Sequence, residues 1–208
     1  IYYEGAGDSL VEEKYAGRPG LFCGLVMLFD TSTGTPLAII QDGNLQQARV
    51  GAKNALGVKY LARENAKTVG MVGSGGQARS HLAAFATVRP IERCNVYSPT
   101  KTNREHYAAE MSAKLGIEVN AVTSVEEALD GADIISGSFG WPHSWTTSRD
   151  LHRQACESAI AAGVTGIFAS GNEGSGSPPD NVRAPGDVPD VITVGAVDCG
   201  DNLASFSS

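Results

Sequence analysis

The chain has 208 residues, of which 42% are hydrophobic and 19% charged, with 25 glycines and few aromatics. This supplies a buried core, excludes collagen-like, low-complexity or disordered sequence, and favours a turn-rich α/β protein over a coiled coil. A formal net charge of −7, with no local Lys/Arg cluster to offset it, opposes attraction to phosphate backbones, so nucleic acid is not an expected partner.

The four cysteines, Cys23, Cys94, Cys156 and Cys199, lie far apart with no C-x-x-C pair. Neither a metal site nor a disulfide framework is expected, and reduced thiols point to a cytoplasmic location. No apolar run approaches the roughly 20 residues that cross a bilayer, and the start lacks the basic and apolar regions of a signal peptide, so a soluble chain without membrane contact is expected. Ile1 is not a methionine, and residues 204–208 stop in a serine-rich stretch; both ends read as cut.

In chain order, residues 23–29 are apolar, 30–35 carry turn residues and 36–40 are apolar again, the pattern of a β-hairpin. Leu45, Ala48, Val50, Ala52, Ala55, Leu56, Val58, Tyr60 and Leu61 then follow a broad helical spacing over residues 42–63, predicting a buried helix. Residues 68–72 form a short β-branched run leading into a glycine turn and a helical pattern through Leu82, Phe85 and Ala86. Strands are predicted at 94–97, 118–122 and 133–135, with helices at 103–115 and 125–129 between them. Beyond these, Ser148 N-caps a predicted helix that runs to Ala162 and ends at Gly163, followed by strands at 166–169 and 191–194. A long Gly-, Pro-, Asp- and Ser-rich loop separates the last two. Strands alternating with helices in this way imply a doubly wound parallel sheet with right-handed crossovers, preceded by a small hairpin-plus-helix lobe. The expected segments are 1–66 for the lobe, 67–135 for a first half-sheet and 136–208 for the remainder.

The turn Gly73-Ser74-Gly75-Gly76-Gln77-Ala78 fits G-x-G-x-x-A between a strand and a helix. There the first glycine makes the turn, the second admits a pyrophosphate to the backbone, and the small third residue lets helix and strand pack closely. The pyrophosphate of a dinucleotide would rest on the helix N-terminus. The second strand ends in Val96-Tyr97-Ser98-Pro99-Thr100-Lys101, without the acid that usually meets a bare ribose. Ser98, Thr100, Lys101 and Arg104 suit an added 2′-phosphate, so NADP is expected ahead of NAD; a solvated helix start capped by Thr100 or Thr102 is the alternative.

Lys14-Tyr15-Ala16-Gly17-Arg18-Pro19, then Asp30-Thr31-Ser32-Thr33-Gly34-Thr35-Pro36-Leu37-Ala38, Arg49-Val50-Gly51-Ala52, Lys59-Tyr60-Leu61-Ala62, the glycine turn, Ser124-Val125-Glu126-Glu127-Ala128 and Gly131-Ala132-Asp133-Ile134-Ile135 together resemble the ornithine cyclodeaminase/mu-crystallin family. The resemblance implies a nicotinamide-binding Rossmann-like domain joined to a dimerising substrate lobe that handles a small amino or imino acid, and thus a homodimer. It also implies that Arg49 grips the substrate carboxylate, a task suited to a guanidinium, and that Lys14 lies near the reacting carbon.

From Ile134 onward, Ile134-Ile135-Ser136-Gly137-Ser138-Phe139-Gly140, Ala169-Ser170-Gly171-Asn172-Glu173-Gly174, Pro189-Asp190-Val191-Ile192-Thr193-Val194-Gly195-Ala196-Val197-Asp198 and Ala204-Ser205-Phe206-Ser207-Ser208 look like a subtilisin-family serine protease. That resemblance implies that Asn172 is an oxyanion-hole donor and that residues 138–140 lie along a substrate cleft. The triad segments of that family are not found, and acyl transfer needs them all. Asp30 belongs to the hairpin, and His81, His106, His143 and His152 read as surface or helix histidines. The expected whole is a composite joined within residues 132–140: an NAD(P)-binding protein, catalytically incomplete. The alternatives are a subtilisin-like endopeptidase fragment without its triad and a recombined scaffold without activity.

Overall fold

The computed structural model describes residues 2–4, 10–12, 24–137, 149–172, 174, 182–196, 202–205 and 207, with backbone alone for 2–4, 10–12 and 149–152. The chain divides into two compact units, Ile1–Arg49 and Val50–Ser208.

In the first unit, β1 (Tyr2–Glu4) pairs antiparallel with β2 (Leu10–Glu12), and β3 (Leu25–Phe29) with β4 (Pro36–Gln41). The second hairpin matches the expectation. The first does not figure in it, because three-residue strands are too short to display an alternation. Asp30 makes the turn of the second hairpin. Its carboxylate accepts from the hydroxyl of Ser32 at 2.5 Å, the Ser32 N–H at 2.7 Å and the Thr33 N–H at 3.0 Å. These bonds, the Ser32 hydroxyl first, hold the carboxyl below its ordinary range. They also fix Asp30 as a turn residue.

Helix α1 (Asp42–Leu61) runs from the first unit into the second. Gly51, Asn54, Ala55 and Val58 are buried, a stripe at i, i+3, i+4 and i+7. The sequence predicts a buried helix, and the structure corrects this: Leu56, Tyr60 and Leu61 are exposed. Apolar residues surround α1, but packing covers only that one stripe.

The second unit carries β5 (Thr68–Val72), α2 (Gly76–Val88), β6 (Arg93–Tyr97), α3 (Lys101–Leu115), β7 (Glu118–Ala121), α4 (Val125–Leu129), β8 (Ile134–Gly137), α5 (Arg149–Ala161), β9 (Thr165–Ala169) and β10 (Ile192–Val194). All six strands pair in parallel, in the order β10-β9-β8-β5-β6-β7. The chain therefore winds outward from β5 through β6 and β7, then restarts at β8 and winds the other way. Strand order reverses between β5 and β8, where doubly wound sheets open a crevice at the carboxyl ends of their strands. The predicted α/β architecture is thus present, and it continues without a break beyond β8.

Alternation along β5 sorts its two faces. Val69 and Met71 enter a core with Val58 of α1, Leu82 and Phe85 of α2, and Tyr107 and Met111 of α3. Gly70 faces α4, and a Cβ there would meet the Ala128 carbonyl oxygen at 2.7 Å. The short α4 is held by a capping box: the Ser124 hydroxyl accepts from the Glu127 N–H at 3.1 Å, and the Glu127 carboxylate accepts from the Thr123 N–H at 2.8 Å. An apolar cavity of about 420 Å³ lies between α4, α5 and the sheet, lined by Val125, Leu129, Ile135, Ala159, Ile160 and Phe168 among others.

Asp133 ties the middle of the sheet together. Its carboxylate accepts the N–H groups of Lys67 at 2.7 Å and Thr68 at 2.9 Å and pairs with the Arg63 guanidinium. Its own N–H donates to the Thr68 carbonyl, and its carbonyl accepts from the Thr165 N–H, both at 2.9 Å.

The close approach of α4 to β5 leaves no room for a methyl group. Gly70→Ala is expected to lower stability by about 1–3 kcal/mol, as overpacking does, measured as a lower urea midpoint with an unchanged slope.

Candidate functional site

At the carboxyl end of β5 the backbone turns sharply at Gly73, whose φ of +111° favours glycine. The Gly73 N–H donates to the Tyr97 carbonyl at 2.7 Å, which pins the turn to the end of β6. Gly75 is the N-cap of α2 and is exposed, and a Cβ at Gly75 would meet nothing within 4 Å. Nothing in the protein therefore requires a glycine there for space. Ala78 is buried at the start of α2, where a small residue lets helix and sheet approach. Gln77 Oε1 is buried without a hydrogen-bond partner, and the first turn of α2 carries no acidic residue that would repel an anion. Open space at the second glycine and an uncontested helix N-terminus fit a pyrophosphate.

The second strand closes one side of this turn. The Ser74 hydroxyl donates to the Ser98 hydroxyl at 2.9 Å, and Ser98 is buried, so it braces the turn. Thr100 is the N-cap of α3 but makes no side-chain cap bond. Arg104 Nη1 donates to the Ser98 carbonyl at 2.9 Å. Lys101 is exposed and lies 3.7 Å from Glu105. The structure thus gathers Gly73 to Ala78 with Ser98, Thr100, Lys101 and Arg104 around the ends of β5 and β6. Absent from the sequence-based set is Arg79, which binds the carbonyls of the turn and pairs with Glu110 of α3. Its signal was the cation directly after Ala78, one residue beyond the motif.

The model of the ornithine cyclodeaminase/mu-crystallin family matches residues 11–138. The chain belongs to that family. The family match ends at residue 138, directly after β8. A Δ1-pyrroline-2-carboxylate reductase from Bacillus cereus is 38% identical over 124 residues, covering 60% of this chain and 38% of the relative. The ketimine reductase mu-crystallin of Rattus norvegicus is 31% identical, covering 64% of this chain and 39% of the relative. Among solved structures, the Thermococcus litoralis Δ1-pyrroline-2-carboxylate reductase in complex with NADH and L-proline is 42% identical with a TM-score of 0.51, covering 53% of this chain and 34% of that one. The chain therefore spans little more than a third of the length of these relatives.

As a family member, the chain places Arg49 on α1, exposed, at the end of the first unit. Lys14 lies outside the described residues, as do Ser138, Phe139, Gly140, Cys23, Cys199 and His143. Asn172 follows β9 and is exposed. Among the described residues no group of three or more His, Cys, Asp or Glu is placed to hold a metal. Likewise, no described helix is long and apolar enough to cross a membrane.

The two histidines whose side chains are described both lie on helices, as expected. His106 is exposed on α3, but His81 of α2 is buried. Asn54 Nδ2 lies 2.7 Å from His81 Nε2, and His81 Nδ1 lies 3.0 Å from the Ser136 hydroxyl. The Asn54 amide donates to Nε2, which leaves the ring proton on Nδ1 to donate to Ser136. In outline this is a Ser-His-Asn line, but all three residues are buried and no scissile carbonyl reaches Ser136. It joins α1, α2 and β8.

Desolvation pushes the His81 imidazole down from 6.5 to about 4. The neutral ring is thus favoured in the folded state, and its contribution to stability is complete above pH 6.5 and lost as pH falls from there towards about 4. The expected loss is up to roughly 3 kcal/mol. Urea unfolding of the wild type and His81→Gln across this range checks it: the variant starts less stable, and the difference between the two shrinks as pH falls.

Proposed function

We propose that this chain binds NADP(H) in preference to NAD(H) at the carboxyl ends of β5 and β6, and that it derives from an oxidoreductase of small amino or imino acids. The turn between β5 and α2 carries this reading, because Gly75 stands exposed with open space around it at the N-terminus of α2, where a pyrophosphate would lie. The pyrophosphate rests against the N-terminus of α2. The 2′-phosphate meets Thr100, Lys101 and Arg104, with Lys101 turning from Glu105 to the ligand; Ser98 supports them from beneath. When bound, such a cofactor supplies a hydride. Arg49 supplies a guanidinium for a substrate carboxylate, and by family resemblance Lys14 lies near the reacting carbon. The segments 1–66, 67–135 and 136–208 serve as a partial substrate and dimerisation lobe, a dinucleotide half and a subtilisin-like remainder. The expected assembly is a homodimer without turnover, since the sequence leaves the family pattern before the portion that holds the nicotinamide ring.

Titration with NADPH and NADH, followed by cofactor fluorescence and thermal stabilisation, tests this. A ligand at 100 times its Kd stabilises the fold that binds it by about 2.7 kcal/mol. NADPH is expected to bind more tightly; a folded protein that responds to neither cofactor sinks the reading and leaves the scaffold alternative. Gly75→Ala is expected to leave the melting temperature nearly unchanged and to weaken NADPH by tenfold or more, because its methyl group meets the phosphate and not the protein.

The ordered subtilisin-like motifs after Ile134 favour a second reading for that segment alone, with Asn172 as its oxyanion donor. An oxyanion donor without a paired nucleophile and base does not transfer acyl groups. A serine-directed fluorophosphonate is therefore expected to leave the chain unlabelled, and a stoichiometric adduct seen by mass spectrometry would reverse that expectation.

A further inference from the structure

Arg79 lies in the first turn of α2 and folds back towards the glycine turn. Nη1 donates to the Ser74 carbonyl at 2.5 Å and to the Gly75 carbonyl at 3.2 Å, while Nε donates to Glu110 of α3 at 2.8 Å. The guanidinium carbon sits 5.2 Å from the centroid of the Tyr107 ring, and the Tyr107 hydroxyl donates to the Ala78 carbonyl at 3.0 Å. The side chain is therefore held from α3 at the same time as it holds the turn.

The consequence follows from peptide geometry. In a trans peptide the C=O and the following N–H point in opposite directions. With the Ser74 carbonyl drawn to the guanidinium, the Gly75 N–H is turned to the side away from it; the Gly75 carbonyl accepts both the guanidinium and the Arg79 backbone N–H, the latter at 3.3 Å, so helix and side chain together turn the Gly76 N–H the same way. Donors at the start of a helix have no intrahelical acceptor and are the ones an anion uses. We infer that Arg79 is a positioning residue for the dinucleotide: it sets the peptide planes of the glycine turn from behind, so that the Gly75 and Gly76 amides face the pyrophosphate before the ligand arrives. This inference rests on the dinucleotide reading above. A guanidinium suits the task because its planar fork offers several donors in fixed directions, whereas a lysine ammonium is a point charge on a flexible stem.

Wild type, Arg79→Lys and Arg79→Met are each titrated with NADPH, and their ligand-free melting temperatures and amide ¹⁵N order parameters are measured. The expected result is a roughly tenfold loss of affinity in both variants, in keeping with two lost bonds to a charged donor. Both variants should melt within a few degrees of wild type. The Gly75 amide should fall from a rigid order parameter of about 0.85 and the Gly76 amide by less, because the Gly75 carbonyl keeps its bond from the Arg79 backbone N–H, while the amides of β5 stay unchanged. Wild-type affinity in either variant overturns the inference; in Arg79→Lys it would mean that charge alone matters. Weakened binding with undisturbed amides also overturns it. Failure of the wild type itself to bind either cofactor overturns the dinucleotide reading, and this role with it, and is distinguished from the other failures by appearing before any substitution is made.

Discussion

The register between β5 and β8 is the constraint on which the second unit depends, and one carboxylate holds it. Asp133 accepts the amides of Lys67 and Thr68 at the entry to β5, and its backbone donates to the Thr68 carbonyl and accepts from the Thr165 N–H, so the start of three neighbouring strands is fixed by one residue. A slip of one residue would move every side chain to the other face. Ser136 would leave His81, and Ile135 would leave the α4 and α5 side for the core. The same residue pairs with Arg63, just beyond α1, which ties the end of that helix to the foot of the sheet.

From that fixed foot, the site at the opposite end follows by short steps. Gly70 admits α4, β5 reaches Gly73, and Gly73 is bonded to the end of β6. The turn is thereby placed between two strands whose relative height is set by their ladder. The buried contacts of Ser74 with Ser98 and of Tyr107 with Ala78 then join α2, β6 and α3 into one support. Gly75 stays exposed in front of this support, with open space around it. An anion site needs this division: a rigid backbone behind and an open approach in front.

Much of this was legible in the sequence because it is written in local chemistry. The β-branched run into Gly73, the turn residues 30–35 and the Gly163 stop each specify their element through neighbours a few residues away. The element bounds agree within a residue or two for that reason. What was not legible depends on residues far apart. The single buried stripe of α1 is set by what packs on it, and the burial of His81 by Asn54 and Ser136, which lie 27 and 55 residues away. Arg79 escaped notice because its partners are backbone carbonyls and a glutamate on another helix, and no spacing rule names them.

The sheet does not stop where the family match stops. Residue 138 is the last matched, yet β9 and β10 continue the ladder in the order a doubly wound sheet requires. The physical reason is that a parallel ladder is made by backbone groups, and a right-handed crossover asks only for a helix long enough to span back over the face. The 13 residues of α5 meet that demand. Packing is more particular than hydrogen bonding: where α5 meets the sheet, an apolar cavity of about 420 Å³ is lined from both sides of residue 138, by Val72, Leu129 and Ile135 before it and by Ala159, Ile160 and Phe168 after it. Continuity of the fold across residue 138 is thus a property of parallel sheets and carries no chemistry of its own. The chemistry is concentrated at the turn between β5 and α2, where the side chains, and not only the ladder, are arranged for a ligand.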